Sequence, residues 1–219
     1  MIVLSIVIPL LISFTPALTT LTLIARGDVR LWLIALLGGG GWILALLLRQ
    51  PLLIMLTGIG PSYIYVASFL AGLFEECLRL VLLRINFVSR SLLKGSLSLG
   101  LGWGLSEALN IYTIPALITA TLMGYSWLDL LPGAVERNSA TLLHVSLSLL
   151  LSKNARDLRL LFAAIFLHTL LNVIGVTSLL MLKDVWLVEG LIALTSLLIF
   201  TSIAFSILRL KDLKSTKHK

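Results

Sequence analysis

The sequence predicts an all-α, polytopic integral membrane helix bundle of about seven spans, with its N-terminus outside and its C-terminus inside. Three observations carry that expectation: the apolar fraction, the scarcity of charge and the sidedness of the charge that remains. Of 219 residues, 58% are apolar and 12% charged, whereas soluble domains run near half apolar and a quarter charged. The mean hydropathy is +1.07. Intrinsic disorder, coiled coil and nucleic-acid binding all need more polar surface and are excluded. The net charge of +7 is instead read as Lys and Arg gathered in cytoplasmic loops against anionic headgroups. Membrane lipids are therefore expected partners, and no nucleic acid is. Cys77 is the single cysteine, so no internal disulfide forms and no oxidising compartment is required.

A spanning helix takes about 20 mostly apolar residues. Segments 2–25, 31–48, 62–83, 93–112, 134–152, 158–181 and 186–208 qualify. The first has no basic leader and outruns the apolar part of a signal peptide, so it is expected to be a span. The second holds Gly38, Gly39, Gly40 and Gly41, which cost helix stability but let helices approach closely. Ahead of the third, residues 51–61 are apolar but interrupted by Gly58, Gly60 and Pro61, a broken lead-in. After the fourth comes the longest connection, 113–132, with Pro115, Trp127, Asp129 and Pro132; it reads as interfacial or re-entrant. Residues 1–209 are expected to form one transmembrane domain and 210–219 a short basic cytoplasmic tail.

Orientation follows from the basic residues between spans. Arg26, Arg30, Arg84, Arg90, Lys94, Lys153, Arg156 and Arg159 fall in odd-numbered loops, and Arg209, Lys211, Lys214, Lys217 and Lys219 at the C-terminal end. Even-numbered loops hold Arg49 and Lys183 alone. Thirteen against two is a strong positive-inside asymmetry and places the odd loops in the cytoplasm.

Within the spans stand Glu75, Glu76, Arg79, Glu107, Glu136, Arg137, His144, His168 and Glu189, with Asn172 as a polar companion. Each costs a few kcal/mol in hydrocarbon and needs a partner or a water-filled cavity. Glu189 reads as an interfacial charge at a span end, and His218 as a solvated tail residue. Glu75, Glu76, His144 and His168 are eight or nine residues from Arg84, Lys153 or Arg159, roughly 12–14 Å inside the cytoplasmic boundary. Glu107 lies about 20 Å in. Glu75 with Arg79, and His168 with Asn172, are four residues apart and share helix faces. These groups are expected to converge on one polar cavity opening toward the cytoplasm.

Carboxylate and imidazole in a partly dry cavity suit activation of water, a Glu taking the proton and a His or Asn donating to a developing oxyanion. The same donors suit zinc. No serine stands in a nucleophile motif, and Cys77 is turned away from Glu76, so covalent catalysis is the weaker choice. Transport is the other class, since proton pathways also use Glu, Arg and His.

The ordered set Glu75-Glu76-Cys77-Leu78-Arg79, Gly102-Trp103-Gly104-Leu105-Ser106-Glu107, Glu136-Arg137 with His144, and His168-Thr169-Leu170-Leu171-Asn172 resembles the CAAX-protease-like superfamily of intramembrane peptidases. The YhfC branch is the most similar, through Ala71-Gly72-Leu73-Phe74-Glu75-Glu76, Glu136-Arg137 with His144, and the lead-in Leu48-Arg49-Gln50-Pro51-Leu52. The PrsW branch follows, through an aromatic residue four before a Glu, as Trp103 precedes Glu107. YhfC-like proteins tend to carry His at the position of Trp103. The resemblance implies an intramembrane endopeptidase, glutamate- or metal-dependent, acting on a membrane-associated peptide or protein. It implies Glu75 as the water-activating base with Glu76 beside it, and Arg79 holding the carboxylates. His144 and Glu107 would complete water or metal binding, and His168 with Asn172 would contact the substrate carbonyl. Zinc would sit on Glu76, His144 and His168. The superfamily also contains a non-catalytic scaffold subunit, so a scaffold or a small transporter is the alternative. The expected location is the plasma membrane of a prokaryotic cell.

Overall fold

A computed structural model describes residues 2–216, with side chains from 6 to 209. Among the described residues every regular element is helical: α1 (Ile2–Ala25), α2 (Val29–Met55), α3 (Tyr63–Arg84), α4 (Asn86–Ser89), α5 (Leu92–Glu107), α6 (Ile114–Leu122), α7 (Trp127–Ser152), α8 (Leu158–Leu182) and α9 (Val185–Thr216). A 3₁₀ turn, Thr57–Ser62, leads into α3, and a π-helical stretch, Ala108–Thr113, joins α5 to α6. Four helices, at Ile6–Ala25, Val29–Met55, Leu158–Leu182 and Val185–Arg209, are long and apolar enough to cross a membrane.

Short polar turns set the helix starts. Asp28 caps α2 by accepting from Arg30 N at 3.0 Å, and Asp157 caps α8 by accepting from Arg159 N at 3.0 Å. Asp184 accepts from Trp186 N at 2.9 Å at the head of α9, and Asp129 accepts from Ser126 N at 2.8 Å at the head of α7. Each carboxylate satisfies an amide that the first helical turn leaves without a partner. The Arg159 side chain and amide also hold the Asp157 carboxyl below the usual carboxylate range. The broken lead-in at 51–61 is where the 3₁₀ turn forms, with Gly60 at φ +68°, a region that favours glycine.

Two boundaries differ from the sequence reading. The connection is shorter than 113–132: the chain runs on as helix through Leu122, turns, and starts α7 at Trp127. Pro115 has no amide hydrogen for the turn before it, and the π-helical stretch absorbs that defect. Tyr112, Ala116, Ala120, Leu130 and Ala134 close a small apolar core around it, and the Tyr112 hydroxyl donates to Leu130 O at 2.9 Å. Second, α2 continues through Pro51 to Met55, which carries Arg49 inside the helix rather than in a loop.

Helix α5 is the centre of the bundle, packed on α2, α7 and α1. Glycine makes that possible. A Cβ at Gly38 would run into Leu99 O, and one at Gly102 into Ala35 O, so the α2 and α5 backbones touch, as small residues permit in membranes. Trp42, Trp103, Leu99, Leu147 and Leu151 are wholly buried beside this contact. On the other surface, Leu11, Leu36, Phe166 and Phe205 are exposed apolar side chains, a pattern too extensive for water and suited to lipid. Gly102→Leu is expected to cost at least ~1–3 kcal/mol by overpacking. A lowered midpoint in thermal unfolding of the detergent-purified protein checks this, with Gly40→Leu, where the added atom meets nothing within 4 Å, as the control that stays near wild type.

Candidate functional site

The site forms where α3, α5, α7 and α8 meet at mid-height. Gly72 lets α3 lie against α8: a Cβ there would sit 2.6 Å from Thr169 Oγ1 and 2.9 Å from Ile165 O. One turn on, Glu75 and Glu76 face the His168 side of α8. Glu76 Oε1 accepts from His168 Nδ1 at 2.7 Å and lies 3.4 Å from Arg79 Nη2. Glu75 accepts from Arg49 Nη1 at 3.1 Å and from the Trp103 indole N–H at 2.9 Å. Its Oε2 is 3.9 Å from His168 Nε2.

Arg79, wholly buried, locks the two halves. It donates to His144 O and to His144 Nδ1, both at 2.8 Å, and its guanidinium stacks 4.6 Å from the centre of the Trp103 ring. A guanidinium only donates, so His144 Nδ1 is the acceptor and the proton sits on Nε2, which faces Glu107 Oε2. Glu107 in turn accepts from Arg137 Nη1 at 2.8 Å, and Arg137 Nε donates to Glu136 at 2.7 Å. The two imidazole centres are 5.5 Å apart.

The structure thus brings Glu75, Glu76, Arg79, Glu107, His144 and His168 together, and Asn172 lines the adjoining cavity. Three partners were not foreseen in these roles. Arg49 was assigned to a loop, Trp103 was read only as a family variation, and Glu189 was read as interfacial although it is 9% exposed and lines the cavity. The spacing Trp103–Glu107, one helical turn, was the available clue that the indole faces the acids. His218 lies outside the described residues.

The cavity, about 520 Å³, reverses one expectation. Its lining on α3 comes from before Glu75 (Tyr63, Ala67), on α8 from after Asn172 (Gly175, Leu179), and on α9 from the first turns (Val185, Glu189). It therefore extends away from the loops of Arg84 and Arg159, toward the α8–α9 turn, where Leu179 and Val185 are exposed. The other half is filled by Leu83, Leu99, Leu147 and Leu151, all buried, so this cavity does not extend toward the basic end, where the sequence reading puts its opening.

Donor atoms of Glu75, His144 and His168 lie within 4.8 Å of one another, so this group could hold a metal ion. Glu76, expected in that set, is instead engaged by His168 Nδ1, and Glu75 takes its place. His168 has the arrangement of a metal-binding imidazole, its other nitrogen donating to a carboxylate. His144 does not fit: Nε2 carries the proton and Nδ1 faces a guanidinium, so it becomes a ligand only by surrendering its hydrogen bonds. Zinc accordingly enters no step below. No protein-family model matches the chain, and no curated protein matches it.

Proposed function

We propose that this chain is a membrane-embedded peptide-bond hydrolase that activates water between His168 and Glu75. One observation carries the reading: with Nδ1 donating to Glu76, the neutral ring of His168, which lines the cavity, has Nε2 as its acceptor, facing Glu75 across 3.9 Å. A water on the cavity side is then within reach of both atoms. Glu76 holds the imidazole in place through Nδ1, as a carboxylate behind a general base does. Glu75, held by Arg49 and Trp103, orients the water as an acceptor. The water oxygen attacks the carbonyl carbon as its proton passes to Nε2. Asn172, one turn beyond His168, donates to the developing oxyanion. The C–N bond breaks as Nε2 returns the proton to the leaving amine. This division moves the base from Glu75, as the family resemblance has it, to His168, because both Glu75 oxygens are occupied by donors.

A proton-pathway reading has one observation in its favour, the continuous chain Glu76–Arg79–His144–Glu107–Arg137–Glu136. Two of its members are guanidiniums, which do not give up protons in proteins. The packed leucines beyond the site also leave the chain without a route to the basic end. A scaffold needs no unpaired ring nitrogen on a cavity wall. Cleavage of membrane-tethered peptides by the reconstituted protein, abolished in His168→Ala, is the supporting result.

The same reading has seven spans, N-terminus out and C-terminus in, in the plasma membrane of a prokaryotic cell. Besides the four apolar helices, α3 and α7 would cross with their buried charged residues, and α5, 16 residues long and rich in glycine and serine, would cross together with the π-helical stretch and α6 that continue it. The charge asymmetry then puts the cavity mouth on the non-cytoplasmic side. In a Cys77→Ser background, cysteines at exposed Tyr125 and Asn154 should label from opposite faces, Tyr125 from outside. Labelling of both from one face contradicts the topology.

A further inference from the structure

Charge in the cavity mouth does not balance. Arg137 is the cation of that end, and it serves Glu107 at 2.8 Å and Glu136 at 2.7 Å. Arg49, a cation that lines the cavity, is held by Glu75 at 3.1 Å. Glu189 enters the same end from α9. It is 9% exposed, and its buried Oε2 has no hydrogen-bond partner. A carboxylate in such a place needs a cation or a donor; among the described residues no donor reaches Oε2, and Arg137, the cation whose charge acts on Glu189, is already bonded to Glu107 and Glu136.

We propose that Glu189 is a specificity residue whose carboxylate receives a cationic group of the substrate, the ammonium of a Lys or the guanidinium of an Arg. The inference rests on the hydrolase reading and gives it a substrate class: apolar peptide segments with a basic residue at a fixed distance from the cut. The distance follows from α7. Glu136, at the mouth, precedes His144, whose ring centre lies 5.5 Å from that of His168, by eight residues, about 12 Å of helix. An extended peptide advances about 3.3 Å per residue, so the basic residue lies about three or four residues from the scissile bond. The apolar walls, Leu53, Ile64, Val176 and Leu179, take the aliphatic stem of Lys or Arg and its neighbours.

The test uses blocked decapeptides of one apolar sequence, carrying a single Lys, Arg, Gln or Glu that is moved along the chain. Binding is read by fluorescence anisotropy on the full-length His168→Ala protein in nanodiscs, and cleavage on the wild type by mass spectrometry. Lys and Arg peptides are expected to bind at least tenfold tighter than Gln or Glu peptides. Glu189→Gln should bring the four within about twofold, and Glu189→Lys should turn the preference toward the Glu peptide. In the wild type, cuts should fall three or four residues from the Lys. Equal binding of Lys and Gln peptides, a preference that survives Glu189→Gln in a folded protein, or no binding by any peptide overturns the proposal. A Glu189-dependent preference without any cutting upholds the cation site and removes the hydrolase reading.

Discussion

Replacing His168 with Ala, or Glu75 with Gln, is expected to lower peptide cleavage by about 10²–10⁴, the range that a positioned acid–base group contributes. The two losses arise differently. His168→Ala removes the atom that takes the proton and leaves Glu76, wholly buried, without its imidazole partner. Glu75→Gln keeps the shape but turns one acceptor into a donor, and that amide must face either Arg49 or Trp103, both donors. The water is then misplaced while the ring of His168 is untouched. Initial rates on reconstituted protein give kcat/KM for each variant, and unchanged helical circular dichroism and elution volume establish that the fold survives. Cys77→Ser, at a half-buried position outside the cavity, should cut at the wild-type rate.

Arg79→Met is expected to destabilise the protein by about 3–5 kcal/mol, the usual cost of removing one member of a buried charge pair. The substitution keeps much of the stem volume but leaves the Glu76 carboxylate without its cation and His144 Nδ1 without its donor, and takes the guanidinium from His144 O. It also removes the cation from the Trp103 face. Arg79→Lys should recover only part, because one ammonium cannot donate to His144 O and Nδ1 in the forked geometry and stack on an indole as well. Adding Glu76→Gln to Arg79→Met should return part of the lost stability, since the stranded charge goes with it. Denaturant unfolding of wild type, Arg79→Met, Glu76→Gln and their double in one detergent measures the coupling. Equal stabilities of wild type and Arg79→Met would show that Arg79 does not bind the two halves of the site together.

The site residues stood out in the sequence because ionisable side chains in apolar helices are costly and therefore few. Glu75, Glu76, His144 and His168 share a depth, and depth is counted directly in residues along a helix. The side on which the void lies is not. It depends on where α8 and α9 part above Asn172 and where α5 and α7 close below it, which is set by interhelical packing. Arg49 was hidden by Pro51, a helix-stop signal that α2 overrides. Glu189 was hidden by its place near a helix end, where exposure is the ordinary expectation; its burial depends on how α9 leans on α7 and α8. Gly38 to Gly41 were legible as a close-contact stripe, and Gly38 meets Leu99 as that reading requires. The helix end near Pro115 falls too early in the sequence reading because a proline and a connection look alike in sequence, and the π-helical stretch that carries the helix past it has no composition of its own.

The central claim is that His168 and Glu75 deliver a water oxygen to a peptide carbonyl. The most direct measurement is cleavage of membrane-tethered peptides in ¹⁸O-labelled water, with new ends read by mass spectrometry for wild type and His168→Ala. The account predicts one ¹⁸O in the new carboxylate formed by the wild type and almost no new ends from His168→Ala. New ends that form equally fast without His168, or no new ends from the wild type with any peptide, would contradict it.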